Sequence, residues 1–122
     1  MPDIQAATNQ DFATTTNASP TLIVQMELPE NTSMQATARA IARRPSDGVM
    51  KEWTMIVAAR RVGNGDAELV GAPVSLSTHA NAAASLWTTS IDVDGVLVRI
   101  SCTGAISATI DWWAQFDAKI MT

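Results

Sequence analysis

Between Thr21 and Leu28 apolar and polar positions alternate, so Leu22, Val24, Met26 and Leu28 share one side of a strand that Pro29-Glu30-Asn31 then closes. Ser33 to Arg44 is rich in alanine, which favours helix. Yet Met34, Ala36, Ala38, Ala40 and Ala42 alternate with mostly polar residues, and a period of two predicts a strand. The same rhythm continues through Trp53, Met55, Val57 and Ala59. Gly63-Asn64-Gly65-Asp66 then predicts a reversal into Ala67-Glu68-Leu69-Val70. Val74 to Thr78 reads as a further short strand after Pro73, and His79 to Ala84 as a loop or about one turn of helix.

Asp94-Gly95, set between the alternating runs Trp87 to Val93 and Val96 to Cys102, predicts a hairpin with a two-residue turn. That turn would set Val93 opposite Val96, Ile91 opposite Val98, Thr89 opposite Ile100 and Trp87 opposite Cys102. Thr88, Ser90, Asp92, Arg99 and Ser101 then face outward, with Leu97 as the apolar exception. A last strand, roughly 108–120, aims Ile110, Trp112, Ala114, Phe116 and Ala118 inward and Asp111, Trp113, Gln115 and Asp117 outward. Trp113 is the odd member of that outer set.

Some seven to eight short strands separated by turn signals, without a helix long enough for a crossover, predict an all-β fold: an antiparallel β-sandwich or jelly roll. It is assigned to residues 21–122. Residues 1–20, ending in Thr14-Thr15-Thr16-Asn17-Ala18-Ser19-Pro20, carry too many small polar side chains to order themselves by burial. They are expected to be an extended N-terminal arm that becomes an edge strand on meeting a sheet or a neighbouring subunit.

Composition narrows the function. In 122 residues 47% are hydrophobic and 16% charged, enough for one folded domain and too little for two. A net charge of −4 argues against nucleic acid as a partner, since phosphate tracking needs clustered cations. The basic pairs Arg43-Arg44 and Arg60-Arg61 both adjoin turns and read as solvated strand ends. Cys102 is the single cysteine, which fits synthesis in a reducing cytoplasm, and no signal peptide or membrane-spanning run is visible.

Candidate chemistry is sparse. The one histidine, His79, has no acid or cysteine near it in sequence. Cys102 falls on the inward face of its hairpin, where a thiol serves as a small hydrophobe. Asp92-Val93-Asp94-Gly95 begins like a calcium loop, but Val96-Leu97-Val98 supplies no further oxygen ligands. No catalytic residue, metal or cofactor is expected. A small hydrolase would need two acids converging in a cleft, such as Asp92 and Asp111 on adjacent outward faces, a pair that could equally be solvated sheet charges. The candidate contact residues are Trp113, for its exposed ring, and Phe12, Thr14, Thr15 and Thr16 in the arm.

Trp87…Ile91-Asp92-Val93-Asp94-Gly95-Val96-Leu97-Val98-Arg99-Ile100…Thr103-Gly104…Ile110-Asp111-Trp112 resembles β-rich domains of bacteriophage virion proteins. The resemblance extends upstream through Ala13 to Leu22, Leu28 to Thr32 and Ala40 to Arg44. It implies a structural part of a tail fibre or a small capsid-associated protein, with no catalytic residues to carry over. The chain shows no upstream shaft or coiled coil, so the expectation is a stand-alone decoration (cement) protein. On that reading it is made in the host cytoplasm, resides in the virion as a dimer or trimer, and contacts the major capsid protein or other virion proteins. A receptor-binding tail module that stacks Trp113 and the loops around Asn64 and His79 on a host-surface glycan is the alternative.

Overall fold

The computed structural model describes residues 2–122. Nine strands run in chain order: β1 (Ile4–Thr15), β2 (Thr21–Glu27), β3 (Thr32–Arg43), β4 (Met50–Arg61), β5 (Ala67–Leu69), β6 (Val74–Ala80), β7 (Thr88–Asp94), β8 (Leu97–Thr103) and β9 (Ile110–Met121). A single 3-10 turn, Ala82–Ala84, follows β6. Pairing is antiparallel throughout. The larger sheet has the order β1-β9-β3-β4, with β5 and β6 laid one after the other along the far side of β4; the smaller is β2-β8-β7. Their inner faces meet as a sandwich, the all-β architecture that the alternation predicts.

The alanine-rich segment is β3, and its neighbours explain why it is a strand. Ala38 pairs with Phe116 on β9, Ala40 with Trp53 on β4, and Ala42 with Trp112 on β9. Each small side chain leaves room for a large ring beside it, which is how facing positions fill a core without voids. Trp53 and Trp112 stack with centroids 5.8 Å apart, and Trp87 tilts against Trp112 at 6.4 Å. Helix propensity thus loses to cross-strand packing, a tertiary effect worth more than the few tenths of a kcal/mol per residue that separate such residues as helix formers.

Residues 4–15, expected to be an arm, lie within the sandwich's own sheet. β1 pairs with β9 along its whole length, from Ile4 opposite Met121 to Thr15 opposite Ile110. The sheet that this segment finds is supplied by the chain's other end. Burial explains why the sequence looks unstructured: although β1 lies near β2, where Asn9 Nδ2 donates to the Gln25 carbonyl at 3.0 Å, only Thr15 is buried and only Ala7 and Ala13 are half-buried. Its order comes from backbone pairing rather than from apolar contacts.

Two registers differ from expectation. In β2 a bulge between Leu22 and Val24 turns both Ile23 and Val24 inward, and Leu22 is left exposed. In the hairpin, Asp94 pairs with Leu97, so Gly95-Val96 rather than Asp94-Gly95 make the turn. Gly95 alone takes a positive φ, 57°, which suits a turn needing glycine only at its first central position. Val93 therefore pairs with Val98, Ile91 with Ile100 and Thr89 with Cys102. The shift is by two, so every side chain keeps its expected face.

Charged side chains tie down the turns. Lys51, on the inner side of β4, donates from Nζ to the carbonyls of Ser85 (2.9 Å) and Trp87 (2.8 Å) and sits 5.2 Å from the Trp53 ring centroid. Arg44 grips Asp47 through two nitrogens and lies 5.9 Å from the Trp87 ring. That hydrogen bond, helped by the Val49 N–H, holds the Asp47 carboxyl below its ordinary range. Arg61 reaches the carbonyls of Gly65 (2.7 Å) and Leu28 (3.0 Å). Arg44 and Arg61, read from sequence as solvated, are structural clamps because their turns fold back within reach.

Candidate functional site

The inner face of the larger sheet is core; its outer face is open. Cross-strand registers order that face into rows, and one row is apolar over three strands: Phe12 on β1 opposite Trp113 on β9, which is opposite Ile41 on β3. The row continues through Glu52 on β4 to His79 on β6. Phe12 is 71% and Ile41 45% exposed, while Trp113 between them is half-buried. Among the described residues nothing covers the outer sides of Phe12 and Ile41. The rows to either side are polar: Gln10, Gln115 and Arg39 on one, Thr14, Asp111 and Arg43 on the other. An apolar stripe with polar rims sets this part of the face apart from ordinary solvated sheet.

Hydrogen bonds fix the stripe's edges. The Trp113 indole N–H donates to Gln10 Oε1 (3.1 Å), and Thr14 Oγ1 donates to Asp111 Oδ1 (2.9 Å). Both link β1 to β9. A ring so anchored loses little side-chain freedom when a partner covers it, which lowers the entropic cost of contact.

Of the candidate contact residues, Phe12, Thr14 and Trp113 are brought together on this face. Thr15 points the opposite way, into the core, where its Oγ1 accepts from the Trp112 indole N–H at 2.9 Å. Strand alternation puts it there, since Thr14 and Thr15 must face opposite sides. Thr16 is exposed in the bend after β1, beyond the paired row. Ile41 belongs to the stripe and did not stand out in the sequence. Its signal is that it is the one apolar side chain on the outward parity of β3.

The chemistry-bearing residues are dispersed. His79, expected in a loop without an acid, stands on β6, and its Nδ1 contacts Glu52 Oε1 on the neighbouring strand, both on the open face. Asp92 is held by Arg99 through two 2.9 Å bonds, with Asp94 at 3.3 Å from the same guanidinium, so both carboxylates are engaged by the protein's own cation. Asp92 is on the outer face of the smaller sheet and Asp111 on the outer face of the larger. The two acids expected on adjacent faces lie on opposite sides of the sandwich, because β7 and β9 belong to different sheets. Cys102 is buried, and burial pushes its thiol up to about 11. Among the described residues no cluster of three His, Cys, Asp or Glu could hold a metal ion.

No protein-family model matches the chain, and no curated protein matches its sequence. Among solved structures it is similar to the tailspike protein of Acinetobacter baumannii phage AM24, with a TM-score of 0.42 and 7% identity over 96% of this chain and 26% of that one. It is also similar to the tailspike protein of Acinetobacter phage vB_ApiP_P1, with a TM-score of 0.37 and 16% identity over 91% of this chain and 20% of that one. The chain thus spans about a quarter of the first protein and a fifth of the second.

Proposed function

We propose that this domain is a structural component of a bacteriophage virion, acting by contact and without chemistry of its own, and that it decorates the capsid. The observation that carries the reading is the uncovered Phe12–Trp113–Ile41 row on the outer face of the larger sheet. Burying two aromatic rings and an isoleucine against a shell subunit supplies association energy in the centre of a patch whose polar rim fixes orientation. The sequence resemblance to phage virion domains supplies the context, and a compact domain that binds only folded neighbours stabilises the assembly it joins.

The experiment is reconstitution of particles lacking the protein with purified wild type and with the Phe12→Ser and Ile41→Ser variants. Both residues are exposed, so the thermal transition should stay within about 1 kcal/mol of wild type. Occupancy of shell positions, seen by cryo-electron microscopy, should fall by at least about tenfold at limiting protein. Unchanged occupancy in both variants would remove this face from the contact.

A second reading, a tail module that contacts host-surface glycan, has one observation in its favour. Trp113 presents part of its ring among the amide of Gln10, the hydroxyl of Thr14 and the carboxylate of Asp111, the mixture of stacking surface and polar groups that a sugar ring uses. Binding on a glycan array, lost in Trp113→Ala, together with density at the tail, would favour it over decoration.

A further inference from the structure

We propose that two copies of this chain pair edge to edge through β1, antiparallel about a two-fold axis at Thr8, joining their larger sheets into one of twelve strands. The inference concerns self-association and stands whether or not the open face meets a shell.

Among the described residues β1 forms strand pairs with β9 alone; β2 of the smaller sheet lies near it, where Asn9 Nδ2 donates to the Gln25 carbonyl, but no backbone ladder occupies its other edge. Which residues face that side follows from one bond. Thr122 N donates to Asp3 O at 3.0 Å, which makes Asp3 and Thr122 a hydrogen-bonded pair; alternation then turns the odd residues of β1 towards β9 and the even ones outward. The amides agree. Ile4 N–H and Phe12 N–H find the carboxylates of the preceding residues, Asp3 Oδ1 at 2.9 Å and Asp11 Oδ1 at 2.8 Å, instead of β9. Ala6, Thr8 and Gln10 between them present backbone groups to the free edge.

Proteins usually blunt such an edge by brevity, proline, lysine or a covering loop. β1 is twelve residues long and contains no proline or lysine, and Asp11 is its only charge. Antiparallel pairing of two copies must set even residues opposite even residues. With Thr8 opposite Thr8 of the second copy, Ala6 meets Gln10 and Ile4 meets Phe12. Ile4 is 61% and Phe12 71% exposed, and both lie on the outer face. Sliding to the neighbouring registers sets Phe12 against Ala6 or against Pro2 and leaves Ile4 with a polar partner. The Thr8-centred register alone matches the two large apolar side chains, and it does so twice. Asp11 then faces Gln5 of the second copy, so no like charges oppose one another.

The outer-face stripe explains what this pairing gains beyond backbone bonds. Phe12 already adjoins Trp113, which has Ile41 on its far side, and Ile4 adjoins Met121, which is 48% exposed. In the pair, Ile41, Trp113 and Phe12 of one copy run on into Ile4 and Met121 of the other. The Asp3 and Asp11 carboxylates compete with this arrangement, since each holds an amide that the second copy's carbonyl would otherwise accept.

Cysteine scanning of the full chain tests the axis. Cys102 is buried, so an added thiol on β1 is the accessible one. Hydrogen-bonded antiparallel residues have Cα atoms about 5.5 Å apart, within the range a disulfide spans. Thr8→Cys should give a covalent dimer on mild oxidation, Ala6→Cys and Gln10→Cys should not when alone, and the last two mixed should link to each other. Thr8→Pro, which removes an amide facing away from β9, should sediment as a monomer with its thermal transition retained. Replacing both Asp3 and Asp11 with alanine should tighten association about tenfold by freeing two amides. Absence of any link in Thr8→Cys, or self-linking of Ala6→Cys or Gln10→Cys to the same extent, would overturn the proposal.

Discussion

Thr15 Oγ1 accepts the indole N–H of Trp112 at 2.9 Å inside the sandwich, although the two residues stand 97 positions apart. This bond joins the end of β1 to the tryptophan cluster at the middle of the core. Thr15→Val preserves shape and removes the acceptor, leaving a buried N–H without a partner. It should cost about 1–3 kcal/mol of stability by denaturant titration, with the slope of the transition unchanged. A loss no larger than that of a surface substitution would mean the indole finds another acceptor.

Gly104 lies against Thr15 of this pair. A Cβ there would come within 2.6 Å of Thr15 Oγ1 and 3.1 Å of Ile110 Cδ1. Gly104→Ala should therefore destabilise by about 1–3 kcal/mol through overpacking. Because the added methyl displaces the oxygen that Trp112 uses, its effect and that of Thr15→Val should be less than additive in a double-mutant cycle.

Lys51 offers a test of the clamp on the Ser85–Trp87 loop. Lys51→Met keeps the apolar stem over Trp53 but takes two donors from the Ser85 and Trp87 carbonyls. The expected loss is about 1–3 kcal/mol, and amide exchange at Trp87 should speed up relative to the centre of β3. Uniform exchange across both sites would mean that the loop opens only with global unfolding.

Cys102 makes stability fall in alkali. Its thiol is held near 11 in the folded chain against an ordinary value of 9.0. The folded state therefore keeps a proton that the unfolded state releases, and stability present below pH 9 is lost as the pH rises towards 11, by up to about 3 kcal/mol. The chain has no tyrosine to add a parallel titration. Cys102→Ala should flatten this part of the profile, and the native thiol should react with disulfide reagents at pH 8 only as fast as the chain unfolds.

Much of the fold is legible in local alternation. β3, β4 and β9 show their inner residues directly, because each is covered on one face and open on the other, and that contrast is written with a period of two. β1 is illegible for the converse reason: both its faces are largely exposed, so nothing in its sequence marks a side. The bulge at Ile23 and the placing of the turn at Gly95-Val96 escape a rule that counts residues, since each depends on a backbone choice of one residue. Of the proposed contact surface, Trp113 is visible as an apolar residue among outward polar ones. Its meeting with Phe12 and Ile41, and that of His79 with Glu52, depends on which strands are neighbours, and no local pattern carries that information.

The pairing of the first strand with the last also sets the order of events in time. Asp3 and Thr122 are 119 positions apart yet share two hydrogen bonds, so β1, which leaves the ribosome before β9, waits unpaired until β9 has been synthesised. Closing so long a loop is slow, and an exposed strand with a single charge is vulnerable to foreign partners meanwhile. The threonine, asparagine and glutamine content of β1 keeps it solvated during that interval, and Asp3 and Asp11, by holding the amides beside them, lower its appetite for the wrong sheet.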